Sequence, residues 1–119
     1  MTYRIAIASN SGEVVDRHFG LAENFLIYEV SEGEVYFIED REVEAASNGN
    51  EHSPLGLARV ADALQDCSAI FVLKIGMQAS RYLYQRGLKC FQVDYAINYI
   101  CEALLINQQK VFLRNYLYN

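Results

Sequence analysis

Apolar and polar positions change their period several times along this chain. From Tyr3 to Ser9, Ile5 and Ile7 alternate with Arg4, Ala6 and Ala8, the period of two that marks a strand. Alanines on one face leave room for another element to pack closely. Asn10-Ser11-Gly12 ends the run as a turn, and a loop to Gly20 follows. Phe25 to Val30, rich in aromatic and β-branched residues, predicts a second strand. Ser31-Glu32-Gly33 predicts a tight turn, and a third strand runs from Glu34 into the low forties, with Val35, Phe37 and Val43 on one side. These three strands are expected to form an antiparallel meander.

The second half changes register. Residues 46–53 are polar, without periodicity, and read as a surface loop. Ser53-Pro54 starts a helix, because serine caps and proline is tolerated at the first helical position. Leu57, Val60, Ala61 and Leu64 then recur at helical spacing until Asp66 and Cys67. Ala69-Ile70-Phe71-Val72-Leu73 is apolar without alternation, the pattern of a strand buried on both faces. Met77 to Gln85 predicts a second helix with Gly87 at its C′ position, Leu88 to Val93 a last strand, and Tyr95 onward a third helix with Ile97, Ile100, Cys101 and Leu104 on one face. The order β-β-β-α-β-α-β-α, with right-handed crossovers in its second half, predicts an α/β protein: a three-layer α/β/α fold around a five-stranded mixed sheet. Residues 1–107 are expected to form one domain, and 108–119 a tail or helix extension that is too apolar (Val111, Phe112, Leu113, Tyr116, Leu117) for a plain disordered end.

Composition narrows the function classes. At 119 residues and 52% hydrophobic, the chain can bury a core without disulfides or a structural metal. A formal net charge of -5 argues against a general nucleic-acid binder, which needs clustered Lys and Arg. Three widely spaced cysteines with no C-x-x-C support neither a zinc ribbon nor a thioredoxin motif, and buried free thiols in a reduced, cytoplasmic protein are the expectation. No stretch has the roughly 20 apolar residues a membrane helix needs.

The candidate chemistry lies where ligands bind in open sheets, beyond the carboxyl ends of the parallel strands. Three segments converge there: the loop from Asn10 to Gly20, carrying Arg17, His18 and Phe19; the turn Lys74-Ile75-Gly76; and the polar loop with His52. Gly76 opens a helix, where free N–H groups and the helix dipole favour an anion. Arg17, Lys74 and Arg81 could add charge to a local cationic mouth. His18 reads either as a loop histidine donating to a backbone carbonyl or as an imidazole that ligates a metal or accepts a ligand hydrogen bond. His52 is a second metal-ligand candidate; Met77 and Cys67 read first as packing residues. Catalysis is disfavoured: the first strand carries no acid for Mg²⁺, Asp16 has no carboxylate partner, and no P-loop or nucleophile-elbow motif is present.

Ile5-Ala6-Ile7-Ala8-Ser9, Val15-Asp16-Arg17-His18-Phe19-Gly20 with Ala22, Phe25 and Tyr28, His52 before the first helix, the segment from Cys67 to Gly76, and Arg86-Gly87-Leu88-Lys89 together resemble the nitrogenase iron-molybdenum-cofactor biosynthesis family. That family includes small carriers of the NifX and NifY type and the C-terminal domain of NifB. The resemblance implies a ribonuclease-H-like fold without nuclease activity and a non-enzymatic role in nitrogen fixation. The protein would bind and carry an iron–sulfur cofactor precursor of the iron-molybdenum-cofactor type, held transiently. Its partners would be cofactor assembly proteins or the target apo-enzyme, with no nucleic acid and no membrane. By that match His18 is the leading ligand, within a site of Asn10, Arg17, His18, Phe19, Gly20, Lys74 and Gly76. No cysteine lies in the 46–53 loop or near Gly76, which suits cargo that must be released. The alternatives are a protein-interaction or regulatory domain that docks through its aromatic tail, and a divalent-metal hydrolase using Asp16.

Overall fold

A computed structural model describes residues 2–47 and 54–105. His52 and the tail beyond Leu105, on which two expectations fall, lie outside the described residues. The elements are β1 (Thr2–Ile7), β2 (Asn24–Ser31), β3 (Glu34–Glu42), α1 (Pro54–Ala63), β4 (Ala69–Val72), α2 (Met77–Gln85), β5 (Lys89–Gln92) and α3 (Ile97–Leu105), with a 3₁₀ turn at Phe19–Leu21. They form one five-stranded mixed sheet in the order β3-β2-β1-β4-β5. β1, β2 and β3 pair antiparallel, and β4 pairs parallel with both β1 and β5.

The alternation in β1 divides the core. Ala6 and Ala8 point to a cluster that contains Val60, Ala61 and Leu64 of the α1 segment and Leu83 of α2. Ile5 and Ile7 point to the opposite cluster, with Ile97, Ile100, Ala103 and Leu104 of α3. The small alanine face therefore lies under two helices and the isoleucine face under one. β4 contributes Ile70 and Val72 to the first cluster and Phe71 to the second, so its continuous apolar run is buried on both faces. Each such large side chain, once fully buried, contributes about 1.5–3 kcal/mol.

Local signals set most boundaries. Glu32 and Gly33 both take positive φ, 50° and 79°, as a two-residue hairpin between β2 and β3 requires. Gly87, at φ 88°, ends α2: its N–H donates to the Tyr84 carbonyl at 2.9 Å and the Leu88 N–H to the Leu83 carbonyl at 2.9 Å, a Schellman ending.

Three expectations change. Helix α1 stops at Ala63, and a turn through Asp66 carries the chain to Cys67. Helix α3 starts at Ile97, because Tyr95 and Ala96 are engaged in backbone pairing with the loop after β1. Val43 does not share a side with Val35. Ile27 pairs with Glu39 but Tyr28 with Phe37, so Ile38 is an extra residue in a β-bulge. The bulge reverses the alternation: Val35 packs on the α3 side and Val43 on the α1–α2 side.

Candidate functional site

The loop after β1 is built by short polar side chains that satisfy its own backbone. Ser9 is buried; its hydroxyl donates to the Val14 carbonyl at 2.7 Å and accepts from the Gly12 N–H at 3.0 Å. Asp16 closes the turn, its two carboxylate oxygens accepting from the N–H groups of Asn10 (2.8 Å) and Ser11 (3.2 Å). Burial of that carboxylate tends to raise its pKa, but these donors, the Ser11 hydroxyl and the charge on Arg17 outweigh it, so it lies below the ordinary value of 3.8.

From there the chain is tied on two sides. The Val15 N–H donates to the Tyr95 carbonyl at 3.0 Å and the Ile97 N–H to the Glu13 carbonyl at 2.9 Å, fixing the loop to the start of α3. The Leu73 N–H donates to the Arg17 carbonyl at 2.9 Å, and the Phe19 N–H donates to the Lys74 carbonyl at 2.8 Å. His18 and Lys74 thus form an isolated parallel bridge that extends β4 by one pairing. Val15 and Phe19 are buried on either side, while His18 and Lys74 are exposed. The imidazole is presented to solvent from a backbone held at both neighbours.

Lys74 leads through buried Ile75 to Gly76, the N-cap of α2. The Ile75 N–H is satisfied by the Gln92 side-chain oxygen at 3.0 Å, so the end of β5 steadies this turn. Gly76 offers no side-chain cap, its φ is -73°, and a Cβ there would meet nothing within 4 Å. Neither backbone strain nor crowding calls for glycine at this position. Gly20 is different: a Cβ there would approach the Ser47 hydroxyl at 3.0 Å, and its carbonyl accepts from the Ser47 N–H at 3.0 Å.

The expected site residues separate into three groups. The bridge sets the backbone of Arg17 and His18 alongside Leu73 and Lys74, with Gly76 two residues further along the chain. Phe19 is expected in the ligand contact, but its ring lies in the core, 6.4 Å from that of Phe25, and anchors the loop instead. Asn10 lies on the far side of β1, where it lines a groove with Glu23, Asn24, Asp40, Glu42 and Val43. One guanidinium N–H of Arg17 donates to the Leu21 carbonyl at 3.1 Å, while its Nε is buried without a hydrogen-bond partner. Met77, expected to pack, is 55% exposed beside Gly76. Gln92 and Ser9, which position the two halves of the site, carry no local motif. Ser9 closes the Ile5–Ser9 segment of the resemblance and opens the Ser-Asn-Ser-Gly turn, but neither signal assigns its hydroxyl a partner.

No cysteine falls in the two segments that build this site, the loop from Asn10 to Gly20 and the turn Lys74-Ile75-Gly76. Cys67 precedes β4 and Cys90 sits within β5, both buried. Burial pushes each thiol up to about 12, for Cys67 with the neighbouring Asp66 adding to it. No group of three or more His, Cys, Asp and Glu side chains that could hold a metal ion occurs among the described residues. No described helix is long and apolar enough to cross a membrane.

Fold and loop together define a class: a small α/β domain that presents one exposed histidine from a clamped loop. Residues 1–105 match the family model described as "Dinitrogenase iron-molybdenum cofactor", and the chain belongs to that family. Protein NifX of Azotobacter vinelandii is 34% identical over 110 residues, covering 90% of this chain and 68% of that protein. FeMo cofactor biosynthesis protein NifB of the same organism is 34% identical over 104 residues, 85% of this chain but 20% of that protein. The chain therefore spans about a fifth of the NifB relatives it matches. The apo form of the orange protein from Desulfovibrio gigas has the same fold, with a TM-score of 0.66 at 18% identity over 89% of each chain.

Proposed function

We propose that this protein binds an iron–sulfur precursor of the iron-molybdenum-cofactor type and carries it during cofactor assembly, handing it to assembly proteins or to the target apo-enzyme. The observation that carries this reading is the His18–Lys74 bridge, which holds an exposed imidazole next to an uncapped helix start. An anionic cluster suits that setting. The imidazole supplies one ligand, Lys74 and Arg17 supply positive charge, and the first amides of α2 supply donors. The bare Gly76, which nothing in the backbone demands, leaves those amides uncovered. Membership of the family supports the cofactor-assembly role, and the names of the NifX and NifB relatives point the same way.

The reading is of holding, not turnover. Strand β1 brings no carboxylate to the site, and Asp16 is engaged with backbone N–H groups. A single imidazole without a neighbouring thiolate holds iron weakly, as a carrier requires. The strand order 3-2-1-4-5, with helices on both faces, supports assigning the fold as ribonuclease-H-like.

Anaerobic titration of the apoprotein with isolated cofactor precursor, followed by visible absorption and electron paramagnetic resonance, tests the proposal. Wild type is expected to bind one equivalent, and His18→Ala to lose most of the affinity and change the spectrum. Identical binding and spectra in the two proteins would remove His18 from the site.

A further inference from the structure

Strand β3 is an edge of the sheet, and its outer side pairs with no other strand among the described residues. Natural edges are commonly blunted or covered. This one runs nine residues and exposes three consecutive apolar side chains, Tyr36 (49%), Phe37 (56%) and Ile38 (38%). Its charged positions are one-sided. Glu34, Glu39, Asp40 and Glu42 are exposed acids, while the single cation, Arg41, is engaged with Asp66 and Glu39. At its carboxyl end the strand opens on a groove of about 550 Å³ lined by Asn10, Glu23, Asn24, Asp40, Glu42 and Val43.

Two copies of this edge would set acid against acid, in a chain of net charge -5. The charge is complementary instead to a basic strand. The bulge at Ile38 divides the edge into Glu34–Phe37 and a second part, Glu39 to Glu42, that is continuous with the groove.

We propose that the outer edge of β3 docks an extended segment of a partner protein in which basic and apolar residues alternate. Backbone hydrogen bonds to β3 give the register, apolar side chains cover Tyr36 to Ile38, and a lysine or arginine enters the Glu23–Asp40–Glu42 groove. Asn10 lines that groove from the loop that also carries His18, so the partner docks on the flank of the His18 loop without covering the bridge to Lys74.

The test uses the full-length apoprotein, so its outcome is independent of cofactor binding. A synthetic peptide of alternating lysine and valine, eight residues long, is titrated into ¹⁵N-labelled protein. Amide shifts confined to residues 34–43, 23–24 and Asn10, with slowed exchange in β3, are expected. A peptide N-methylated at alternate amides should fail to bind. The double variant Glu34→Lys/Glu42→Lys, its fold checked by the unchanged remainder of the spectrum, should weaken binding by about tenfold or more. Shifts scattered over every acidic surface, equal binding by the N-methylated peptide, or undiminished binding by the double variant would overturn the proposal. So would shifts at 34–42 on Phe112→Asp without peptide, which would make the chain's own C-terminal segment the occupant. Concentration-dependent shifts at the same residues would make a second copy the occupant and would equally overturn it.

Discussion

Asp16→Asn tests whether the histidine loop is held by its own backbone donors. In the native protein both Asp16 oxygens accept N–H groups, from Asn10 at 2.8 Å and Ser11 at 3.2 Å. Asparagine keeps one acceptor oxygen but turns an NH₂ group toward the other donor, so one of the two bonds is lost along with the charge. A charge-assisted bond contributes roughly 1.5–3 kcal/mol when buried. This carboxylate is only partly buried, so the expected loss is about 1–2 kcal/mol. With a urea slope of about 1.5 kcal/mol/M for a chain of this size, the unfolding midpoint should fall by roughly 1 M at pH 7. Amide exchange at Asn10 and Ser11 should quicken more than exchange in β4. The pH profile adds a second check. Because the folded-state pKa lies below the ordinary 3.8, the contribution is present above that value and fades as pH falls through the lower, folded-state pKa. The gap between wild type and variant should therefore close in acid. Equal midpoints at pH 7, with unchanged exchange at Asn10 and Ser11, would refute the reasoning.

Asp66 joins three elements, accepting from Arg41 at 2.7 and 3.0 Å and from Arg4 at 3.0 Å, and Arg41 followed by Arg4 holds its carboxyl well below the usual range. Its side chain is 37% exposed, so Asp66→Asn should cost only about 1 kcal/mol above pH 4, with the difference vanishing as pH falls through the depressed pKa, measured by urea unfolding across pH. Cys67 and Cys90, whose thiols burial pushes up to about 12, should resist iodoacetamide in the native protein at pH 8 and react only in denaturant, with half-buried Cys101 alkylated first; mass spectrometry of the labelled peptides reads the order, and native labelling of Cys67 at the unfolded rate would contradict the buried placement.

Much of this protein was open to reading along the chain, because the signals are local. Period-two alternation in Tyr3–Ser9 and the unbroken apolar run at Ala69–Leu73 report, residue by residue, which faces are buried, and both clusters follow that pattern. Gly87 announces a helix end because α2 must close through a left-handed residue. The Arg17-His18-Phe19-Gly20 element marks the loop, and the turn Lys74-Ile75-Gly76 its neighbour, because a strand-loop and a strand-helix junction fall at the same edge of a parallel pair.

What depended on the folded chain involves partners far apart in sequence. No periodicity foretells that Ile38 bulges and so turns Val43 to the opposite face from Val35, since a bulge depends on how two strands pair. Arg4 and Asp66 are 62 residues apart, and Gln92 reaches Ile75 from another strand; only the strand order 3-2-1-4-5 makes these pairs neighbours. The same order accompanies a Phe19 ring in the core, a Met77 left in solvent, and an Asn10 that lines an acidic groove. The chain's local chemistry thus specified the parts and marked the histidine. Which side chains stand together at that histidine, and which edge is left for a partner, came from long-range pairing, because hydrogen-bond register and burial are properties of strands in contact and not of any one segment.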